Sequence, residues 1–220
     1  MYIQWHGQSC FRIQAKNDDA TTTLITDPYT NDYGLKLPHL SADILTISHE
    51  HKDHSNIKAV NGTQKRATPF LINGPGEYEI SDVFIYGIPS WHDNNEGKER
   101  GKNIIYVISM EKINIAHLGD LGQTELTDKQ LEMMNNIDIL LIPVGGKYTI
   151  NAEEAAKIIS RIEPRIVIPM HYKIAGLKLD IDGIDKFIKE MGGKAEEMDK
   201  LKIAKKDLPQ EETKLVILKP

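Results

Sequence analysis

Residues 48 to 54 read Ser-His-Glu-His-Lys-Asp-His, which puts three imidazoles and one carboxylate, His49, His51, Asp53 and His54, within six residues. Donors of that kind suit zinc, manganese or iron. The preceding run, Asp43-Ile44-Leu45-Thr46-Ile47-Ser48, is apolar and rich in β-branched side chains, so it predicts a buried strand ending at the first histidine. A strand fixes the backbone while the loop after it lets the donors turn toward one point. In extended geometry His49 and His51 share a side. Asp53 and His54 need a turn and then offer a second, adjacent position. Two metals about 3.5–4 Å apart are a known arrangement for hydrolysis. A zinc finger does not suit the chain, which has one cysteine, Cys10, and no Cys pairs.

The same placement recurs downstream. Turn residues at Asn73-Gly74-Pro75-Gly76 precede a predicted hairpin of Glu77 to Ile80 with Val83 to Tyr86, and His92 lies past its second strand. A further hairpin, Ile104 to Ile108 with Ile113 to Ala116, leads to His117-Leu118-Gly119-Asp120, where Gly119 permits a sharp turn. The strand Arg165 to Pro169 leads to Met170-His171-Tyr172. Thr127 and Asn151 open predicted helices; the second, Ala152 to Ile162, carries apolar residues at Ala155, Ile158, Ile159 and Ile162. The glycine pair Gly145-Gly146 lacks a P-loop pattern and reads as a turn.

His49-Glu50-His51-Lys52-Asp53-His54 resembles the H-x-H-x-D-H signature of the metallo-β-lactamase superfamily, with the likeness running over nearly the whole chain. It is most similar to the short lactonase-like branch of zinc-dependent hydrolases. The resemblance implies a four-layer αβ/βα sandwich of the α/β class with its site at one edge between the sheets. It also implies two divalent metal ions, zinc first, with manganese or iron as alternatives. His49, His51 and His92 would hold one ion, and Asp53, His54 and His171 the other, with Asp120 bridging. Asp53, Asp120 and His171 are the expected catalytic residues. The implied chemistry is a dinuclear-metal-bound hydroxide cleaving an ester, lactone or phosphoester. Asp27, ahead of Pro28, fits the aspartate that buttresses the metal loop. Gln8 departs from the His-Gly-His that relatives often carry.

Other classes stay open. A phosphodiesterase or nuclease usually carries an added domain or long arm, for which there is no room. A diiron oxidoreductase would carry Glu where this chain has His51. A non-catalytic metal-binding scaffold or regulatory protein is the remaining alternative. At 220 residues and net charge −5 the chain suits one domain, residues 1–220, without a strongly basic nucleic-acid surface. No secretory signal or membrane span is evident, so the expected location is cytoplasmic, with an anionic small-molecule substrate and a homo-oligomer both open. The polar stretch Asn94 to Asn103 reads as a mobile rim whose Arg100 and Lys102 either contact an anion or form a solvated charge run. Cys10 reads as a buried hydrophobe, His39 as a surface residue, His117 as a pocket residue rather than a ligand, and Tyr172 as a substrate or packing residue.

Overall fold

A computed structural model describes residues 1–17 and 20–220. The first part of the chain gives strands β1 (Tyr2–Trp5), β2 (Phe11–Asn17), β3 (Ala20–Thr26), β4 (Leu40–Ser41), β5 (Ile44–Thr46), β6 (Val60–Asn61) and β7 (Phe70–Ile72). Then come β8 (Gly76–Ile80), β9 (Val83–Trp91), β10 (Lys102–Met110), β11 (Ile113–His117), helix α1 (Asp128–Met133), β12 (Ile139–Pro143) and α2 (Ala152–Ile162). The last elements are β13 (Ile166–Met170), α3 (Asp185–Glu190), β14 (Glu196–Met198), β15 (Leu201–Lys202) and β16 (Lys214–Leu218).

Two large sheets form a sandwich. One has the order β15-β1-β2-β3-β5-β7, the other β14-β16-β13-β12-β11-β10-β9-β8, and β4-β6 is a small separate pair. Strand alternation decides what goes between them. Leu24 and Ile44 join Ile85, Ile105, Ile115 and Leu141 in one apolar cluster shared by both sheets. Their neighbours Ile25 and Leu45 face the other way and pack with Cys10, Tyr29, Leu40 and Val60 under the loop that follows β3. The outer layer of the first sheet is thus largely loop, and the stretch after His54 holds only a 3-10 turn, Ile57–Ala59.

The second sheet is covered on both sides. Its parallel strands β12 and β13 are buried at every residue. Helix α2 buries Ala152, Ala155, Ile158 and Ile159, one stripe at helical spacing. Burying each isoleucine contributes about 1.5–3 kcal/mol. The helix begins at a capping box in which Asn151 and Glu154 satisfy each other's backbone N–H groups. Thr127 and Gln130 do the same for α1.

Strand β9 runs farther than its sequence suggests, through Gly87 and Pro89 to Trp91. Its partner β8 stops at the Gly76–Gly87 pair, so Pro89 falls where β9 pairs with β10 alone and no ladder bond to β8 is lost. The added length carries the chain to the rim on which the site is built. Strands β14 and β15 arise from a charged segment with no strand pattern: β14 is held against β16, and β15 crosses to the other sheet to pair with β1.

Candidate metal centre

Parallel pairing explains why distant residues meet. Strands β3 and β5 are parallel, as are β11, β12 and β13, and β9 shares their direction because it is antiparallel to β10, itself antiparallel to β11. Their carboxyl ends lie at one rim of the sandwich. Asp27 follows β3, the His49–His54 loop follows β5, His92 follows β9, Asp120 follows β11 and His171 follows β13.

The side chains gather in two groups. Donor atoms of His49, His51 and His92 lie within 4.8 Å of one another, and so do those of Asp53, His54, Asp120 and His171. Asp120 Oδ2 joins the groups, standing 3.1 Å from His54 Nε2, 3.3 Å from His171 Nε2, 3.5 Å from His92 Nε2 and 4.0 Å from His49 Nε2. One carboxylate oxygen cannot accept a proton from all four imidazoles. Accordingly the Nε2 atoms of His49, His54 and His171 are buried without a hydrogen-bond partner. Buried lone pairs without partners are costly unless something binds them, and nitrogen and carboxylate donors together suit a divalent cation. The cluster therefore fits the metals that the sequence implies.

Protonation points the same way. Burial, with the nearby His54, pushes the His49 imidazole down to about 2, and burial also lowers His92, leaving both neutral with a lone pair to offer. Burial opposes ionisation of Asp120 and Asp53, yet His171 and His54 hold both carboxyls well below the usual carboxylate range. Burial likewise opposes charging of His54, but Asp120 outweighs it and raises that imidazole. Neutral His49 and His92 beside ionised Asp53 and Asp120 are in the state that metal binding requires, whereas His54, charged against Asp120, would give up its Nε2 proton to a cation.

Supporting residues fix the cluster. Asp27, fully buried, accepts bonds from Ser48 N at 2.8 Å and from Ser48 Oγ, and its Oδ2 lies 3.0 Å from His54 Nδ1. That carboxylate gives His54 a proton on Nδ1 and leaves Nε2 open. Asn103 Oδ1 accepts from Asp120 N at 3.0 Å, while its amide donates to Leu118 O and Ser90 Oγ. Gly119, at φ +56°, passes so close that an added Cβ would lie 2.4 Å from Asn103 Oδ1 and 2.6 Å from Ser48 Cβ. Ser48 and Asn103 are supports that sequence reasoning missed, because a lone serine or asparagine at a strand end carries no pattern.

A third missed residue is Asp93. Its carboxylate accepts four backbone N–H bonds, from Asn95 and Gly97 at 2.8 Å, Glu99 at 3.0 Å and Arg100 at 2.7 Å. The rim read from its composition as mobile is thus tied to the residue beside His92. Its only advance signal is an aspartate opening a glycine-containing polar stretch. Tyr172 proves to be a packing residue, buried with its ring 5.0 Å from that of Trp5. His117 lies outside both groups, its Nε2 2.9 Å from Ser9 O. Gln8 is buried at φ +50° with neither amide atom bonded, and its carbonyl accepts from His171 N at 3.2 Å. His39 is exposed and Cys10 fully buried, as expected.

A cavity of about 480 Å³ opens over the cluster, reaching His51, Asp53, His92, Asp120 and His171. Residues 2–171 match the beta-lactamase superfamily domain. The chain belongs to that superfamily. Two UPF0173 metal-dependent hydrolases, from Pyrococcus horikoshii and Thermococcus onnurineus, are each 31% identical to this superfamily member over 77% of its chain and 84% of their own. A crystal structure of a metallo-β-lactamase superfamily protein from Thermotoga maritima superposes with a TM-score of 0.78 at 33% identity, over 99% of this chain and 97% of that one. The present chain is likewise a metal-dependent hydrolase with the sandwich fold. No helix among the described residues is long and apolar enough to cross a membrane.

Proposed function

We propose that His49, His51 and His92 hold one divalent cation, that Asp53, His54 and His171 hold a second, and that Asp120 is shared between them. The observation that carries this reading is the convergence of four imidazoles from three loops on a single oxygen, Asp120 Oδ2. When bound, such cations polarise the oxygen of the scissile group and ionise water near neutral pH. The substrate is a small ester, lactone or phosphoester that fits the cavity of about 480 Å³. Zinc is the favoured metal, in keeping with the imidazole-rich donor set and with the Thermotoga maritima neighbour's description as a candidate Zn-dependent hydrolase.

Each protein group has a distinct task. Asp27 keeps His54 facing inward through the bonds described above, and Ser48 does so for His49 through its Oγ, 2.9 Å from His49 Nδ1. Asp53, whose side chain is 13% exposed against 3% for Asp120, is the carboxylate open to the cavity, so it accepts a hydrogen bond from the attacking water and orients it. Asp120 supplies charge rather than a proton, because it is buried and held ionised. We further infer one domain over residues 1–220, supported by the apolar cluster shared by both sheets, acting in the cytoplasm, where an unpaired buried Cys10 is at home.

The test joins elemental analysis to a panel of lactone, carboxylic ester, phosphomonoester, phosphodiester and thioester substrates. The expected result is two equivalents of metal and turnover of at least one class. Asp120→Ala should lose both metals and activity while remaining folded by circular dichroism. An Asp120→Ala protein that retained two equivalents would rule out the shared carboxylate, and a fully loaded wild type inert on the whole panel would favour a non-catalytic scaffold.

A further inference from the structure

We propose that Arg100 recognises an anionic group on the substrate, so that the substrate carries a carboxylate or phosphate in addition to the bond that is cleaved. This rests on the hydrolase site proposed above and names the substrate class that the site takes.

The placement of Arg100 is the starting point. A second cavity, of about 590 Å³, lies beside the one over the metal cluster, and among the described residues Glu50, His51 and Arg100 alone line both. Arg100 therefore stands at the divide, next to His51. The loop brings it there by construction: Asp93, adjacent to His92, accepts the Arg100 backbone N–H at 2.7 Å. The guanidinium is also held, with Cζ 5.8 Å from the centre of the Tyr148 ring and one terminal nitrogen donating to Lys147 O at 3.3 Å. A surface arginine free in solvent would have none of these restraints.

Charge pairing separates this residue from its neighbours. On the same loop, Lys98 lies 3.8 Å from Glu96, both well exposed. Lys147 is paired with Asp180. Among the described residues no carboxylate lies within 4.0 Å of Arg100, nor of Lys52 and Lys102, which line the first and second cavity respectively. On this rim, then, Lys98 and Lys147, which line neither cavity, have carboxylate partners, whereas Arg100, Lys52 and Lys102, which line one or both, have none among the described residues. Glu50 and the ligands Asp53 and Asp120 bring negative charge to the first cavity, and metal binding would consume that of the last two.

Guanidinium has five N–H donors in a planar fork that matches carboxylate or phosphate. One terminal nitrogen has a protein acceptor here, and the Tyr148 ring lies within cation–π reach, so part of the rotamer freedom is already lost before an anion arrives. The site is open to water, so the gain in affinity is modest, about tenfold. A neutral substrate of the same shape would leave the fork without a partner.

Glutarate and glutaramate, its monoamide, differ by a single charge at one end and serve as probes. Calorimetric titration of the metal-loaded protein should show glutarate binding about tenfold more tightly than glutaramate. Arg100→Met should reduce that ratio below about twofold, and Arg100→Lys, which keeps the charge but not the fork, should retain part of it. Replacing glutarate with 3-phosphonopropionate tells whether phosphate or carboxylate is preferred. A ratio near one in the wild type, or an equal ratio in wild type and Arg100→Met, would overturn the assignment. Metal content on the same samples separates the two readings. An unloaded protein with an Arg100-dependent preference would keep the subsite and refute the metal site, whereas a loaded protein without the preference would do the reverse.

Discussion

Asp27→Asn isolates the tautomer of one histidine. The substitution is nearly isosteric, and asparagine tolerates the φ of +38° at this position. In the native arrangement Oδ1 accepts from Ser48 N at 2.8 Å, and Oδ2 accepts from Ser48 Oγ and stands 3.0 Å from His54 Nδ1. An amide keeps only one of these oxygens. If its NH₂ replaces Oδ1 it meets the Ser48 backbone N–H, which cannot change its role. If it replaces Oδ2 it meets His54, which can move its proton to Nε2. The second orientation therefore wins, and Nε2 loses the lone pair it would offer to a cation. Restoring that lone pair sets an N–H against the amide and forfeits a charge-assisted bond, about 1.5–3 kcal/mol. The expected outcome is about 10- to 100-fold weaker binding of one metal equivalent, with the other nearly unchanged. Competition against a chromophoric chelator reads both constants. Two equivalents bound within about twofold of the wild-type affinities, in a folded Asp27→Asn protein, would refute the tautomer argument.

Three further outcomes follow from the same geometry. Asp93→Ala leaves four backbone donors without their acceptor, partly replaced by water, and should cost about 2–4 kcal/mol in urea unfolding. It should also expose residues 94–100 to limited proteolysis; unaltered protection would mean that the loop is held by other means. Gly119→Ala forces a Cβ to within 2.4 Å of Asn103 Oδ1 at φ +56°, so a loss of about 2 kcal/mol or more is expected, and an unchanged melting temperature would contradict it. His6 is held neutral, its imidazole lowered from 6.5 to about 4 by burial and by Arg12. A depressed histidine contributes stability that is present above 6.5 and is lost as pH falls through about 4. The wild type should therefore lose stability relative to His6→Asn across that window, and parallel melting curves of the two proteins from pH 7 to 4 would count against the assignment.

The sequence discloses the site unevenly. Residues 49 to 54 announce themselves, since four ligand-type side chains crowd into six positions after a short apolar strand. His92, Asp120 and His171 are single residues in separate loops, legible through the resemblance and through their place after apolar strands. What gathers them is the common direction of β3, β5, β9, β11 and β13, a property of strand pairing that no local window contains. Helix α2 was readable to the residue, because its cap and its apolar stripe agree. Strands β14 and β15 were not, because Glu196, Glu197 and Lys202 carry no alternation, and their partners on β16 and β1 supply the ladder. Asp93, Ser48 and Asn103 were hidden for a related reason: each acts on backbone groups brought near by the folded chain.

The crossing of β15 to the first sheet has a consequence for synthesis. Tyr2 pairs with Lys202, and Ile203 N donates to Met1 O, so β1 has one neighbour that is made long after it. On the ribosome, β1 can pair with β2 as soon as both emerge, but its other edge stays bare until about two hundred residues have been added. An open strand edge of that kind invites pairing with foreign chains, and contacts so remote in sequence slow the final closure. That edge is therefore open to clumping until β15 has been made and has docked on it.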